Sequence, residues 1–190
     1  MSEFQLKFTE NPLVKIPYMI LKSITFVLVA IFVANVSFAQ SKADIIKSIK
    51  KEFKDINDDN SYTKVVLENE EFMEQMTDRG GSLTGYYKEE KLRKIVEWVG
   101  VSNGIYITEY YFKEEQLIFV YRAFKAVVYD IKKGEVDYDQ TGVKFEGRYY
   151  FNDKTLIDAI TTGTNPFKGE PANFPAEVDK DQQLLAKKKK

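Results

Sequence analysis

The 190-residue sequence contains neither cysteine nor histidine. Without cysteine the chain forms no disulfide, offers no thiolate nucleophile and has no cysteine for lipid attachment. Without histidine it lacks the commonest transition-metal ligand and the usual general base near neutral pH. Ser-His-Asp catalysis, Cys-His catalysis and a histidine-ligated zinc site are therefore excluded.

An excess of charge of one sign is also missing, since 28 basic residues stand against 29 acidic residues and the net charge is −1. A balanced surface has no basic field to attract nucleic acid. We therefore predict no nucleic-acid partner.

Apolar residues, by contrast, make up 44% of the chain, which is enough to form a core. Aromatic residues are frequent as well, with 14 Phe and 12 Tyr against one Trp. Because Phe and Tyr favour pleated, half-buried surfaces, this composition indicates a mostly β fold.

Residues 19–40, MILKSITFVLVAIFVANVSFAQ, have the three-part layout of a secretory signal peptide. Lys22 supplies the positive flank, an uncharged apolar run follows, and Ser37 and Ala39 are the small residues before a cleavage at Gln40. The apolar run is short for a membrane-spanning helix, which needs about 20 residues. We predict an exported protein, periplasmic or extracellular; an uncleaved N-terminal anchor is the alternative, and the only predicted contact with a membrane.

Residues 1–18 precede Met19, which is an alternative start, and are read as an extension of the signal peptide. The predicted organisation is an extension with signal peptide (1–39), a folded domain (40–162) and an irregular, proline-containing strap with a lysine-rich tail (163–190). The end of this tail is read either as a short helix or as a frayed terminus.

Residues 42–58 have the spacing of an amphipathic helix. The polar side mixes lysine with acidic residues, which favours packing on a sheet over membrane-surface binding. One stripe carries the apolar side chains Ile45, Ile46, Ile49, Phe53 and Ile56.

Six later segments are rich in β-branched and aromatic residues and are separated by glycine-containing turns. Short links between successive strands favour an antiparallel meander. The predicted fold class is therefore α+β, with an N-terminal helix packed on an antiparallel β-meander after a cleavable signal peptide. The predicted strands are 62–72, 82–88, 92–100, 105–112, 117–131 and 143–151.

One phrase occurs three times, as GYYKEEKL at 85–92, YYFKEEQL at 110–117 and YYFNDKTL at 149–156. Each copy is interpreted as a β-hairpin with a four-residue polar loop, whose flanking aromatic residue pairs with the leucine. The predicted pairs are Tyr87–Leu92, Phe112–Leu117 and Phe151–Leu156.

Directly paired residues share one face of a sheet, and neighbours along a strand lie on opposite faces. The three aromatic–leucine pairs are therefore expected on one face, covered by the helix at 42–58. The other face is expected to carry a column of Tyr86, Tyr111 and Tyr150.

The segments EYYFKEEQLIFVYR (109–122) and EGRYYFNDKTLI (146–157), behind a signal peptide and a helix, resemble small uncharacterised exported bacterial proteins built from Tyr-Tyr-Phe hairpins. The resemblance covers residues 42–160. It implies a fold and a location, but it carries no catalytic residue and implies no activity.

The tyrosine column of Tyr86, Tyr111 and Tyr150 is the candidate ligand-binding surface, because phenol rings combine apolar area with a polar tip. Packing of these rings beneath a second layer is the equal alternative. Glu109 and Arg122 are expected beside them, either as part of the site or as a cross-strand ion pair.

Two segments, DINDDN (55–60) and DYDQTG (137–142), begin like calcium loops. Both lack the bidentate glutamate at the twelfth position, where Val66 and Arg148 stand instead. We interpret them as an Asx-rich helix end or turn, and predict no metal and no cofactor.

The predicted function is an exported, non-catalytic binding or interaction module for a protein, peptide or glycan of the cell envelope. No residue is predicted to be catalytic, since no convincing acid–base pair stands out. The alternatives are a carboxylate-based hydrolase and a structural envelope component anchored by its N-terminal segment.

Overall fold

The computed structural model describes residues 42–167 and 172–189. The extension and signal peptide predicted for residues 1–39 lie outside the described residues. The chain divides into two units, Met1–Ala43 and Asp44–Lys190, of which the second contains the whole sheet and the C-terminal helix.

The predicted amphipathic helix is confirmed and spans residues 42–58; we name it α1. Its buried side carries Ile49 and Ile56, and Ile45, Ile46 and Phe53 pack beside them. At its end, the Asp59 carboxylate accepts hydrogen bonds from the backbone and hydroxyl of Ser61 at 2.8 and 2.7 Å. The segment DINDDN therefore forms a helix end with an Asx turn.

Seven strands form one sheet, in which each strand pairs only with its neighbours in the chain and every pair is antiparallel. The predicted meander is thereby confirmed. A short 3₁₀ helix, Asn69–Glu71, follows the first strand. The strands are β1 (Thr63–Glu68), β2 (Gly81–Lys88), β3 (Lys91–Val101), β4 (Gly104–Lys113), β5 (Gln116–Asp130), β6 (Glu135–Asn152) and β7 (Thr155–Gly163).

Strand β6 begins at Glu135, whereas the predicted strand begins at residue 143. The observed strand therefore includes the segment DYDQTG, which was interpreted as an Asx-rich helix end or turn. That interpretation is wrong. Thr141 pairs with Val127 of β5, and Asp137 pairs with the next residue, Val128. The register shifts between these two pairs, but β5 provides strand partners on both sides of the shift.

All three hairpin pairs are confirmed, because Tyr87 pairs with Leu92, Phe112 with Leu117 and Phe151 with Leu156. The loops are tighter than predicted, since their outer residues also pair across the strands. Only two residues make each turn, and all six have positive φ, between 47° and 67°. These angles are those of type I′ turns, whose twist matches the twist of the strands. The turn residues are Glu89–Glu90, Glu114–Glu115 and Asp153–Lys154.

Each hairpin also contains a one-residue bulge, which the sequence analysis missed. The residues left without a direct partner are Arg93, Ile118 and Ile157, each one position after the leucine. Ile118 and Ile157 pack on the α1 side of the sheet, and Arg93 hydrogen-bonds Glu52 of α1. The threefold phrase therefore encodes a tight turn together with a bulge that directs an additional side chain towards α1.

The segment Phe174–Lys189 is a second helix, α2, rather than a frayed tail. Asn173 precedes it, and its carbonyl accepts backbone hydrogen bonds from Ala176 and Glu177 at 3.0 Å each. Pro175 is tolerated because backbone N–H groups in the first turn have no partner within a helix. Three side chains of α2 are buried against the sheet: Phe174, Val178 and Leu185.

The sheet lies between the two helices and has a separate core on each face. The α1 face contains Tyr111, Phe119 and Tyr150 together with the isoleucines of α1. The prediction that α1 covers the leucine face is therefore wrong. The bulges explain this, because they add apolar side chains to the tyrosine face, and the leucine face is covered by α2. The α2 face contains Leu67, Leu83, Ile95, Tyr110, Phe112, Leu117, Val120, Tyr149 and Phe151.

Candidate functional site

The predicted tyrosine column lies on one face, opposite Phe112 and Phe151, as alternation requires. Tyr111 and Tyr150 are 0% and 3% exposed, beneath α1. These two rings therefore follow the alternative expectation, in which they pack beneath a second layer of the fold. Tyr86 is half-buried, and its ring meets Tyr62 edge-on at a centroid distance of 6.1 Å.

Glu109 and Arg122 lie on opposite faces of the sheet, so the expected cross-strand ion pair between them does not form. The bulge at Ile118 changes the register, and Glu109 pairs with Tyr121 while Arg122 pairs with Thr108. The same bulge places Val120 on the α2 face.

A cavity of about 380 Å³, the α1 cavity, lies beside α1 and includes two of the predicted site residues, Glu109 and Tyr150. Lys94 lies 3.2 Å from the Glu109 carboxylate, and the Tyr111 hydroxyl also donates to Glu109. The charge of Glu109 is thus balanced inside the fold. The remaining lining includes Ile49, Phe53, Phe119, Tyr121, Glu146 and Arg148.

The Glu146 carboxylate in the α1 cavity is also satisfied. It accepts hydrogen bonds from the Tyr121 hydroxyl at 2.7 Å and from Arg148 at 3.0 Å. The Tyr121 hydrogen bond and the Arg148 charge lower the pKa of Glu146, whereas burial raises the pKa of Tyr121 to about 12. The polar side chains of this cavity therefore stabilise one another.

A second cavity, of about 390 Å³, lies on the opposite face between the sheet and α2; we name it the α2 cavity. Strands β3, β4 and β5 form its floor, and α2 and the segment after β7 form its walls. Its volume is within the range of about 300–1,000 Å³ that is typical of small-molecule sites. The polar residues that line it are Glu97, Thr108, Tyr110, Arg122, Glu177, Lys180 and Asp181.

Arg122 is the one predicted site residue in the α2 cavity, and it is only 6% exposed. Its guanidinium forms an ion pair with Glu177 of α2 at 2.5 Å. The Tyr110 hydroxyl donates to the same carboxylate at 3.3 Å. Phe167 and Phe174 stack against the guanidinium, with centroids at 4.5 and 4.7 Å. Glu177 is thereby neutralised, and Arg122 is held in a fixed position.

Glu97 and Asp181 have no hydrogen bond or ion pair to any residue within 42–167 and 172–189. Burial raises the pKa of Glu97, and the nearby Arg122 charge only partly opposes this. Burial also raises the pKa of Asp181 to about 7, with further contributions from the charges of Glu97 and Glu177. Lys180 is on the same turn of α2, but its ammonium is bound to Glu74 at 3.0 Å.

Thr108 lies on the cavity floor and is 3% exposed. Its hydroxyl has no hydrogen-bond partner among the described residues. The hydroxyl is not among the fully enclosed atoms that lack a partner, so its oxygen is open to solvent in the cavity, where a ligand can reach it. The α2 cavity therefore contains three polar side chains, Glu97, Thr108 and Asp181, that are available to a ligand.

Two features of the sequence point to this cavity, although neither was among the predicted site residues. Glu97 lies in phase with Ile95 and Val99 along β3, so an acidic residue occupies the apolar face of a strand. Asp181 lies three residues after Val178 and four before Leu185, within the buried stripe of α2. A charged side chain on an apolar stripe is uncommon unless it is paired or functional.

No group of three or more acidic side chains within the described ranges is arranged to hold a metal ion. The part of the chain that the structure describes also contains no helix with the length and apolar character needed to cross a bilayer. No protein-family model, curated protein or solved structure matches the chain.

Proposed function

We propose that the protein is an exported binding module whose ligand site is the α2 cavity. The observation that carries the proposal is the convergence of Glu97, Thr108 and Asp181, which lack partners among the described residues, on a volume of about 390 Å³. Ligand sites combine a mostly apolar lining with a few polar groups that fix orientation. The ligand is a small molecule or the terminal group of a peptide or glycan.

The tyrosine face is a weaker candidate for the site than the sequence indicated. Tyr111 and Tyr150 are buried beneath α1, and Glu109 is paired with Lys94. A ligand would have to displace these internal partners. In the α2 cavity, by contrast, binding satisfies groups that are otherwise unsatisfied, so it is favoured.

A variant that fills the α2 cavity tests the proposal. Val99 lines it, whereas Val96 lies on the opposite face of the same strand, where it pairs with Glu109. We expect Val99→Phe to abolish saturation-transfer NMR signals from a library of cationic, neutral and anionic fragments. Val96→Phe should retain them.

Far-UV circular dichroism of both variants shows whether the fold is kept. If Val99→Phe stays folded and binds the same fragments as the unchanged chain, the α2 cavity is not the site.

A carboxylate-based hydrolase is the second candidate, because two carboxyl groups with raised pKa values, Glu97 and Asp181, line one cavity. A protonated carboxyl can act as a general acid while a second carboxylate acts as base or nucleophile. Under this alternative Glu97→Gln and Asp181→Asn each abolish hydrolysis of aryl glycosides or esters while ligand binding persists. If the unchanged chain hydrolyses none of these substrates, the hydrolase proposal fails.

The proposed location follows from the signal-peptide layout of residues 19–40. N-terminal sequencing of protein recovered from cells distinguishes export from anchoring. A mature start at Gln40 supports an exported module, and a retained apolar segment supports the anchored envelope component.

A further inference from the structure

Among the described residues around the α2 cavity, the carboxyl groups outnumber the cations that pair with them. Three carboxylates line it, but Arg122 is bound to Glu177 and the Lys180 ammonium to Glu74. Glu97 and Asp181 are left with no cation within ion-pair distance among the described residues. Two part-buried carboxyl groups that interact in this way favour any ligand that brings a positive charge.

The cavity is more than a cluster of acidic residues. Thr108, 3% exposed, presents a hydroxyl that lacks a hydrogen-bond partner in the described part of the chain. Its position on β4, directly across from Arg122 on β5, places it on the floor below the carboxylates. A donor-bearing ligand group that meets the carboxylates can also bond this hydroxyl.

The apolar part of the lining indicates the rest of the ligand. Phe72, Val99, Tyr106 and Phe167 line the same cavity. The Tyr106 and Phe167 rings pack edge-to-face at a centroid distance of 5.1 Å and form one aromatic side of the cavity. Aromatic faces attract cations and also pack against flat apolar groups.

We propose that the α2 cavity binds a small organic cation, an alkylammonium or arylalkylammonium, with its nitrogen between Glu97 and Asp181 and its apolar body against Val99 and Tyr106. This inference rests on the proposed function and adds the chemical class of the ligand. Carboxylates and a hydroxyl accept the N–H bonds of an ammonium, whereas an anion would meet two carboxyl groups.

Cation binding is expected to depend on pH. Asp181 faces Glu97 of β3, Arg122 of β5, and Glu177 and Lys180 of α2. Tyr110 of β4 is also close, but burial raises its pKa and it stays neutral. The Asp181 carboxyl, whose pKa is raised to about 7, holds a proton in the empty cavity at lower pH and releases it when the cation binds, so the affinity rises with pH through about 7.

Isothermal titration calorimetry of the purified full chain tests this with three probes of similar size: phenethylamine, 2-phenylethanol and phenylacetate. At pH 8.5 we expect saturable binding of phenethylamine, with at least about tenfold weaker binding of the neutral alcohol and none of the anion. At pH 5.5 the affinity for phenethylamine should fall by about tenfold or more, with proton release detected in buffers of different ionisation enthalpy.

Two variants locate the charge recognition. Glu97→Gln and Asp181→Asn should each weaken phenethylamine binding about tenfold or more. Glu109→Gln, on the other face of the sheet, is the matched control and should leave it unchanged. Tight binding of phenylacetate or of the alcohol would overturn the cation inference while leaving the binding function intact. If no fragment and none of the three probes binds, both proposals fail.

Discussion

On the α1 face of the sheet, Glu109 and Glu146 are each bound by a phenol and a cation. On the α2 face, Glu97 and Asp181 have neither among the described residues. Both faces are covered by one helix and both contain a cavity of similar volume, about 380 and 390 Å³. The two cavities therefore differ in the state of their polar groups and not in their size.

The pairing of the polar groups decides which of the two cavities favours a ligand. Internal pairing lowers the free energy of the empty protein, so a ligand at the α1 cavity must compete with it. Part-buried carboxyl groups without a protein partner are costly to ionise, as the raised pKa of Asp181 indicates, and a ligand of complementary charge offsets that cost. The α1 face contributes stability, and the α2 face has kept groups that a ligand can use.

The largest expected effect tests the structural role of the α1 face. Tyr111→Ala removes a fully buried ring that packs on Phe53 at 4.8 Å and on Phe119 at 5.7 Å. The free energy of unfolding should fall by about 3–5 kcal/mol, as for other large-to-small aromatic changes. Urea denaturation measures it. Thr108→Val on the α2 face should change it by less than about 1 kcal/mol, because no internal hydrogen bond is lost.

A second prediction uses the pH dependence of stability, which should have opposite signs on the two faces. The folded-state pKa of Asp181 is raised to about 7 from 3.8, so the folded protein holds a proton that the unfolded chain releases. Its contribution to stability is fully present below about 3.8 and is lost as the pH rises to about 7. The loss is on the order of 2–4 kcal/mol, and Asp181→Asn should remove it.

The pKa of Glu146 is lowered, so its contribution has the opposite sign: it is present above the ordinary glutamate value of 4.5 and is lost as the pH falls. Chemical denaturation of Asp181→Asn and Glu146→Gln from pH 3 to pH 8 compares the two contributions. If both variants change the pH profile in the same direction, the contrast between the faces is wrong.

A third prediction concerns the close packing of the α2 face. At Gly147 an added Cβ would lie 2.6 Å from Cε2 of Tyr149, whereas at Gly142 of the same strand nothing lies within 4 Å. Gly147→Ala should therefore destabilise the protein by about 1–3 kcal/mol. Gly142→Ala is the matched control, and thermal denaturation should show no loss of stability. Equal midpoints for the two variants would show that the Tyr149 ring moves at little cost.

The smallest expected change in the free energy of unfolding concerns the hairpin turns, which connect the strands and belong to neither face of the sheet. Residues other than glycine with positive φ cost roughly 1 kcal/mol each. Replacing Glu114–Glu115 by Asn-Gly should therefore raise the free energy of unfolding by about 1 kcal/mol, measured by urea denaturation. The same change at Asp153–Lys154 should give a similar gain. No gain at either turn would show that their geometry is not strained.

The sequence predicted the parts of the fold that follow from local periodicity. Helix α1, the order of the strands and the three aromatic–leucine pairs all agree with the structure. The bulges were missed because Arg93, Ile118 and Ile157 have no distinctive residue type. The bulge at Ile118 is enough to place Arg122 on the face opposite Glu109.

The candidate site depends on contacts that periodicity does not reveal. Helix α2 follows a proline-containing segment, and Asp181 interrupts its apolar stripe, so the sequence alone does not distinguish a helix from a frayed tail. Only the packing of α2 on the sheet brings Asp181 near Glu97, which is 84 positions earlier in the chain (181 − 97). The sequence predicted Arg122 as a site residue, but it gave no sign of the ion pair between Arg122 and Glu177.

The neighbour-to-neighbour order of the strands has a consequence for how the chain assembles. Each hairpin closes a short loop, so the sheet can grow by local steps that cost little chain entropy. The two helices are the exceptions: α1 packs on Phe119 and Tyr150 much later in the chain, and α2 returns from the end of the chain to β1 and β2. We therefore expect docking of α2 to be the slowest step of folding, and its release to be the cheapest partial opening. The proposed binding pocket would then be the last region to form and the first to open.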